Sequence, residues 1–141
     1  MPEANTHAAA LQLVEPMFAA EFAFMRSDPP DPGLLEAAFD RDVVVHEPGS
    51  LPYAGDWQGL EGVAALIGLM RDTWSEMAVE DLAAVRDGDA VFLSCTLRLV
   101  SRATGRSIDQ PFAEVLRFRD GRLLEGRPFY FDTDALLATI S

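Results

Sequence analysis

The second half of the chain alternates between two sets of side chains, and this pattern restricts the fold more than any other feature. The alternation covers Ala90–Val100 and returns over Ile108–Phe118. Successive side chains of a β-strand point to opposite faces, so each segment predicts a strand with one buried face. Pairs that contain glycine separate the segments and favour hairpin turns, namely Asp87-Gly88, Thr104-Gly105 and Asp120-Gly121.

Two further strands complete the predicted meander, a clear one at Arg122–Phe131 and a weaker one at Met77–Val85. The first half is predicted to be helical, because apolar residues recur every three or four positions over 8–25 and 59–74. Between these helices we expect three shorter features: a helix at Leu34–Phe39, a strand at Asp42–His46 and a loop at Pro48–Gly59.

Helices followed by a run of hairpins predict an α+β fold. We expect a single domain, residues 1–141, in which a cone-shaped, curved antiparallel sheet wraps around the N-terminal helices. A cone of this kind leaves space for an enclosed pocket between the sheet and the helices.

Charge and composition exclude several classes of partner. The chain carries 11 basic and 23 acidic residues, a formal net charge of −12. Such a protein repels nucleic acid and anionic membranes. No apolar run approaches the roughly 18 residues that a membrane span needs, so we expect no membrane-spanning segment. We also expect no secretion signal, and therefore a cytoplasmic location. Cys95 is the only cysteine, which excludes an internal disulfide.

Glu114 is the first candidate for chemistry because it shares its strand face with Phe112, Leu116 and Phe118. An unpaired carboxylate in apolar surroundings is costly to ionise, so its pKa should rise. The alternative is an ion pair with an arginine on a neighbouring strand, or an exposed face.

Glu47 is the second candidate, since it ends a strand beside an irregular loop, where a rigid element can aim a catalytic group. The alternative is a solvated loop acid. Neighbours on a strand face opposite ways, so His46 is predicted to be structural or to face a dimer partner. The aromatic residues Tyr53, Trp57 and Tyr130 either line a pocket or pack in the core.

Known metal and cofactor motifs are missing from the sequence. His46 lacks the second histidine of a helical zinc site, and no phosphate-binding glycine loop or serine nucleophile elbow is present. Cys95 is predicted to be a core residue. We therefore expect neither a metal nor another cofactor.

Four local sequences, in this order, resemble the nuclear transport factor 2-like superfamily, in particular its SnoaL-like polyketide cyclase and ketosteroid isomerase branch. They are Ala38–Pro48, Leu51–Gly55 with Gly59 opening a helix, Arg117–Arg122 and Glu125–Asp132. The resemblance spans nearly the whole chain and implies the cone-shaped fold predicted above.

The resemblance also implies roles for both acids. In ketosteroid isomerase the acid before a proline at the end of the first strand shuttles the proton, and Glu47 precedes Pro48. A protonated acid that donates to the oxyanion lies four residues before the Phe of an Arg-Phe pair, as Glu114 does before Phe118. Phe22 stands where the isomerase has a tyrosine, so Tyr53 or Tyr130 would supply that donor.

We therefore expect a cyclase or isomerase that transfers protons on a polyketide-like or steroid-like carbonyl compound. Glu47 and Glu114 are the predicted catalytic residues, and the predicted substrate-binding residues are Phe22, Tyr53, Trp57, Phe112, Tyr130 and Asp132. The alternatives are water activation, as in limonene epoxide hydrolases, and a non-catalytic ligand-binding module. The resemblance also implies a homodimer formed through the outer sheet face, which carries Phe92, Thr96, Arg98 and Val115.

Overall fold

The computed structural model describes residues 6–141, which form three helices and a curved, unclosed sheet of six strands. The elements in chain order are α1 (Thr6–Arg26), β1 (Phe39–Glu47), β2 (Gly55–Gln58), α2 (Gly59–Thr73), β3 (Trp74–Asp87), β4 (Ala90–Ser101), β5 (Ser107–Arg119), β6 (Arg122–Tyr130) and α3 (Thr133–Ile140). This arrangement confirms the predicted α+β class.

The strands lie in the order β2-β1-β6-β5-β4-β3. Strands β3 to β6 form the predicted antiparallel meander. Gly88 and Gly121 adopt positive φ angles of 60° and 79° in its turns, a conformation that glycine adopts without steric cost. Strand β1 joins the sheet in parallel with β6, while β2 pairs antiparallel with β1.

The concave face of the sheet carries the core. Along β4, side chains at odd positions from Val91 to Leu99 are buried, whereas Phe92 and Arg98 face outward. Helix α1 packs mainly on β3 and α2 packs mainly on β1, so both helices cover the same face. The cross-strand register aligns Leu93, Glu114 and Pro128 in one row on that face.

Three local predictions were wrong. The expected helix at Leu34–Phe39 is a 3₁₀ turn at Pro32–Leu35, where Asp31 accepts a hydrogen bond from the Gly33 amide at 3.0 Å. Phe39 already belongs to β1. The predicted loop contains β2, and β3 begins at Trp74 rather than at Met77. Strand β3 also has a register shift between Glu80 and Ala83, where Asp81 has a φ of 54°.

Helix α1 is 21 residues long, and by length and composition alone it could cross a membrane, contrary to the expectation from the sequence. Its apolar residues have another explanation in this structure. Side chains such as Leu13, Val14 and Met17 are buried in the core, and Phe18 and Phe22 line an internal cavity. The helix therefore uses its apolar stripe to pack on the sheet.

Candidate active site

An internal cavity of about 60 Å³ lies between α1, α2 and the concave face of the sheet. Its wall is mostly apolar and includes the side chains of Phe18, Phe22, Val63, Leu66, Ile67, Val79, Leu97 and Phe112. Three carboxyl groups interrupt this wall, those of Glu21, Glu47 and Glu114. Their placement in apolar surroundings dominates the electrostatics of the cavity.

Glu114 projects into the cavity from the middle of β5. Burial raises the pKa of its carboxyl group to about 8. Gly126 on β6 lies beside it, and a Cβ atom on that glycine would come within 3.5 Å of Glu114 Oε2. Among the described residues no arginine pairs with Glu114 or lines the cavity, so the alternative of a structural ion pair is not seen.

Glu47 enters the cavity from the end of β1. Its pKa is raised to about 8, chiefly by burial and further by the nearby charge of Glu114. The Oε1 atom of Glu47 is buried and finds no hydrogen-bond partner within residues 6–141. An unpaired buried acceptor is costly, and such atoms usually have a functional explanation.

Glu21 on α1 is the third acid, and it is not among the predicted site residues. Its pKa is raised well above the usual range by burial, and then by the charges of Glu114 and Glu47. A signal was present, because Glu21 lies three residues after Phe18 and four before Met25, on the apolar stripe of the helix. Glu21 therefore shares the apolar face of its helix, as Glu114 shares the apolar face of its strand.

The three acids cannot all ionise in one small apolar space. Each charge raises the cost of the next, so the protons leave in steps that belong to the group as a whole. Near neutral pH the cavity therefore holds mainly protonated carboxyl groups, which can donate hydrogen bonds. A group that has lost one proton contains both a base and neutral acids.

A chain of hydrogen bonds supports one further polar group in the cavity wall. Trp74 Nε1 donates to Tyr53 Oη at 3.1 Å, and Tyr53 Oη lies 3.2 Å from Tyr130 Oη. Tyr130 lines the cavity and contacts the ring of Phe112 edge-to-face, with centroids 5.0 Å apart. If Tyr53 donates to Tyr130, the Tyr130 hydroxyl proton is available to a ligand.

The structure separates the predicted site residues into two groups. Phe22, Phe112 and Tyr130 line the cavity, together with Glu47 and Glu114. Tyr53 is fully buried behind Tyr130. Their catalytic and binding roles stay predictions.

Trp57 and Asp132 lie outside the cavity wall, contrary to expectation. The indole of Trp57 on β2 donates to the Tyr53 carbonyl at 3.0 Å. Asp132 is exposed and caps α3 by accepting from the Ala135 amide at 3.0 Å. Strand β6 ends at Tyr130, so Asp132 lies beyond the strand that carries side chains into the cavity.

His46 faces away from the cavity. Its ring nitrogens lie 2.7 Å from Asp56 and 3.0 Å from Glu125, which ties β1 to β2 and β6. The hydrogen bond to Asp56 raises the pKa of His46, and Glu125 adds to this effect while burial opposes it. Within residues 6–141 no group of three or more His, Cys, Asp and Glu side chains is arranged to hold a metal ion.

Comparison with known proteins agrees with this architecture. The sequence model of a family described as the SnoaL-like domain matches residues 18–126. No curated protein sequence matches the chain.

Solved structures show the same fold at low sequence identity. A nuclear transport factor 2-like protein from Burkholderia xenovorans is 23% identical with a TM-score of 0.79, over 96% of this chain and 98% of that one. A candidate SnoaL-like polyketide cyclase from Jannaschia is 17% identical with a TM-score of 0.74, over 96% and 94%. IdmH, a candidate polyketide cyclase from Streptomyces antibioticus, is 22% identical with a TM-score of 0.67, over 92% and 98%.

Proposed function

Because the chain belongs to the SnoaL-like domain family, we propose that it is a cyclase or isomerase that transfers protons on a hydrophobic carbonyl compound. The observation that carries this proposal is the set of glutamates, Glu21, Glu47 and Glu114, in an apolar cavity, one with an unpaired buried oxygen. The candidate polyketide cyclases among the structural neighbours support a polyketide-like substrate.

In the proposed reaction Glu47 is the base. Its ionised carboxylate takes a proton from the carbon next to the substrate carbonyl, and the unpaired Oε1 atom receives it. The electron pair moves onto the carbonyl oxygen, which gives an enolate. Glu47 then returns the proton to another carbon of a conjugated enolate. Alternatively, the enolate carbon attacks a second carbonyl group and closes a ring, and the alkoxide formed there takes the proton back from Glu47. A positioned general base of this kind typically accelerates reactions by roughly 10²–10⁴-fold.

Neutral acids stabilise the enolate oxygen. Glu114, kept protonated by burial, donates one hydrogen bond, and Tyr130 donates another. Phe22 has no hydroxyl group, but the adjacent Glu21 brings an acidic O–H into the cavity from the same helix. Donors fixed in place before the reaction are worth on the order of 10²–10³-fold each.

The cavity is small for such a substrate, since ligand pockets usually enclose about 300–1,000 Å³. Three methionines in its wall, Met25, Met70 and Met77, offer a way to enlarge it. Methionine side chains are unbranched and change shape at low cost. We therefore propose that the substrate displaces these side chains as it enters.

Exchange of deuterium into 2-tetralone, a bicyclic ketone with acidic protons beside its carbonyl, tests the base. We expect the protein in heavy water to speed the exchange, and Glu47→Gln to slow it by at least about 100-fold, because an amide cannot take up the proton. Proton NMR follows the loss of the α-proton signals. The exposed Glu61→Gln is the matched control and should keep the full rate. An undiminished rate in Glu47→Gln would refute the assignment.

The pH dependence of the same exchange tests Glu114. The wild-type rate should rise and then fall around about pH 8, since activity needs an ionised Glu47 and a protonated Glu114. Glu114→Gln keeps a neutral donor that does not titrate, so its rate should rise with pH and then level off. Loss of the rising limb in this variant would contradict the roles assigned here.

A further inference from the structure

A second space lies next to the cavity, where the ends of α1 and α2 meet the edge strand β3. This cleft has a volume of about 430 Å³. It shares Phe22, Met25 and Met77 with the cavity wall. Because two of these shared residues are methionines, a modest movement of their side chains would connect the cleft with the cavity.

The cleft is strongly basic in a protein that is strongly acidic. Four of the 11 basic residues in the sequence line it, namely Arg26, Arg71, Arg98 and Arg102. Glu76 is the one carboxylate among the lining residues that the structure describes. A concave surface with one dominant charge attracts ions of the opposite charge.

Most of this positive charge is not neutralised. Arg71 donates to the Ser27 carbonyl at 3.0 Å, and Arg102 donates to the carbonyl groups of Arg71 and Trp74 at 2.9 Å and 3.2 Å. These carbonyl oxygens carry no formal charge. They therefore hold the guanidinium groups in place without neutralising their positive charge.

Only one of the four cations is paired with an acid in the described part of the chain. Arg98 lies 3.1 Å from Asp109 on the adjacent strand. The exposed Arg26 has no ion pair within residues 6–141 and extends the positive surface at the end of α1.

Helix ends explain part of this cluster and not all of it. Arg26 and Arg71 lie in the last turns of α1 and α2, where cations stabilise the helix dipole. Arg102 follows the last residue of β4 and donates to the carbonyl groups of Arg71 and Trp74 at the end of α2. Arg98 belongs to β4, and no helix accounts for its position beside the same cleft. Arginines from three elements therefore converge at one opening.

We propose that this basic cleft is the substrate entrance and that it binds the anionic group of an amphipathic substrate, a hydrophobic keto acid. The apolar carbonyl part of the substrate occupies the cavity, while its carboxylate stays in the cleft beside Arg26, Arg71 and Arg102. Guanidinium groups suit this role because their planar donors match a carboxylate. The keto acid class rests on the function proposed above, since that function places the reacting carbonyl in the cavity.

Two fluorescent probes with the same rings test the entrance by binding alone. 1-Anilinonaphthalene-8-sulfonate is an anion, and N-phenyl-1-naphthylamine is the same skeleton without the sulfonate. We expect the protein to bind the anion at least about tenfold more tightly at low ionic strength. The double variant Arg26→Gln/Arg102→Gln should weaken anion binding about tenfold and leave the neutral probe unchanged.

Arg117→Gln is the matched control, because it removes an exposed cation on the part of β5 near the Asp120-Gly121 turn. It should leave both affinities unchanged. The single variant Arg26→Gln should lose less affinity for the anionic probe than the double variant does. It keeps the test valid if the double variant unfolds. Undiminished anion binding in the variants, or an equal loss for both probes, would overturn the proposal. This outcome is distinct from failure of the proposed function, which the exchange rate of neutral 2-tetralone reports.

Discussion

Buried glutamates are costly residues, and the cavity contains three of them. An ionised carboxylate loses hydration in an apolar environment, so the folded chain favours the protonated form. For Glu114 this preference raises the pKa from 4.5 to about 8. The folded protein therefore holds protons that the unfolded chain would release, and this links stability to pH.

The predicted result is a loss of stability as the pH rises. A carboxyl group whose pKa is raised on folding contributes fully below about pH 4.5 and loses its contribution as the pH rises to about 8. Glu114→Gln removes the titrating group, so its stability relative to the wild type should be higher at about pH 9 than at about pH 5 by roughly 4 kcal/mol. Urea unfolding at both pH values measures the difference. An equal effect at both would show that Glu114 does not titrate in this range.

Single residues differ in how well the sequence alone predicts their position. Glu114 is identified by alternation along a regular strand, where the facing direction of each side chain is fixed. Glu47 is harder to place, because it ends a strand and only the resemblance distinguishes it from a surface acid. Glu21 was not predicted, because the resemblance points to the adjacent Phe22, the position equivalent to the isomerase tyrosine.

At the scale of elements, the end of β6 determines what Asp132 does. The strand stops at Tyr130, and Asp132 caps α3 instead of facing the cavity. Asp132→Ala should therefore lower the free energy of unfolding by about 1 kcal/mol, a typical value for the loss of an N-cap. Urea unfolding measures the loss, and the exchange rate of 2-tetralone should not change. Asp134→Ala, in the first turn of α3, is the control with a smaller loss. A large fall in the exchange rate with Asp132→Ala would show that Asp132 does take part in the active site.

The regular elements were predicted well, because a long segment repeats its hydrophobic period often enough to distinguish a helix from a strand. Helices α1 and α2 and strands β4 to β6 lie within a few residues of their predicted bounds. Strand β2 was missed, since Gly55–Gln58 is too short to show a period and follows a segment rich in Gly and Pro. Pairing with β1 stabilises it, and the local sequence does not reveal such a partner.

At the scale of the whole molecule, the outer face of the sheet exposes several large apolar side chains. Phe92, Phe129 and Val85 are 47%, 51% and 52% exposed, and Val85 lies beside Phe92 in the register of β3 and β4. Exposed apolar patches of this kind mark interaction surfaces. We propose that two copies of the chain associate through this face, as the family resemblance implied.

Substitution on the outer face tests the homodimer. Phe92→Asp/Phe129→Asp should convert a particle of twice 15.4 kDa into one of 15.4 kDa, because a dimer interface cannot bury unpaired charge. Analytical ultracentrifugation measures the mass. Leu69→Asp is the control, since Leu69 is 38% exposed on α2. A wild-type mass of 15.4 kDa would refute the dimer.

The register shift in β3 has a consequence for self-association of another kind. This strand lies at the edge of the sheet, and edge strands invite a further chain to add on. The shift between Glu80 and Ala83 interrupts the straight run, and Glu76, Glu80 and Asp81 place negative charge along it. Two such borders would repel each other and fail to align, so growth into fibrils by strand addition is blocked at this side of the molecule.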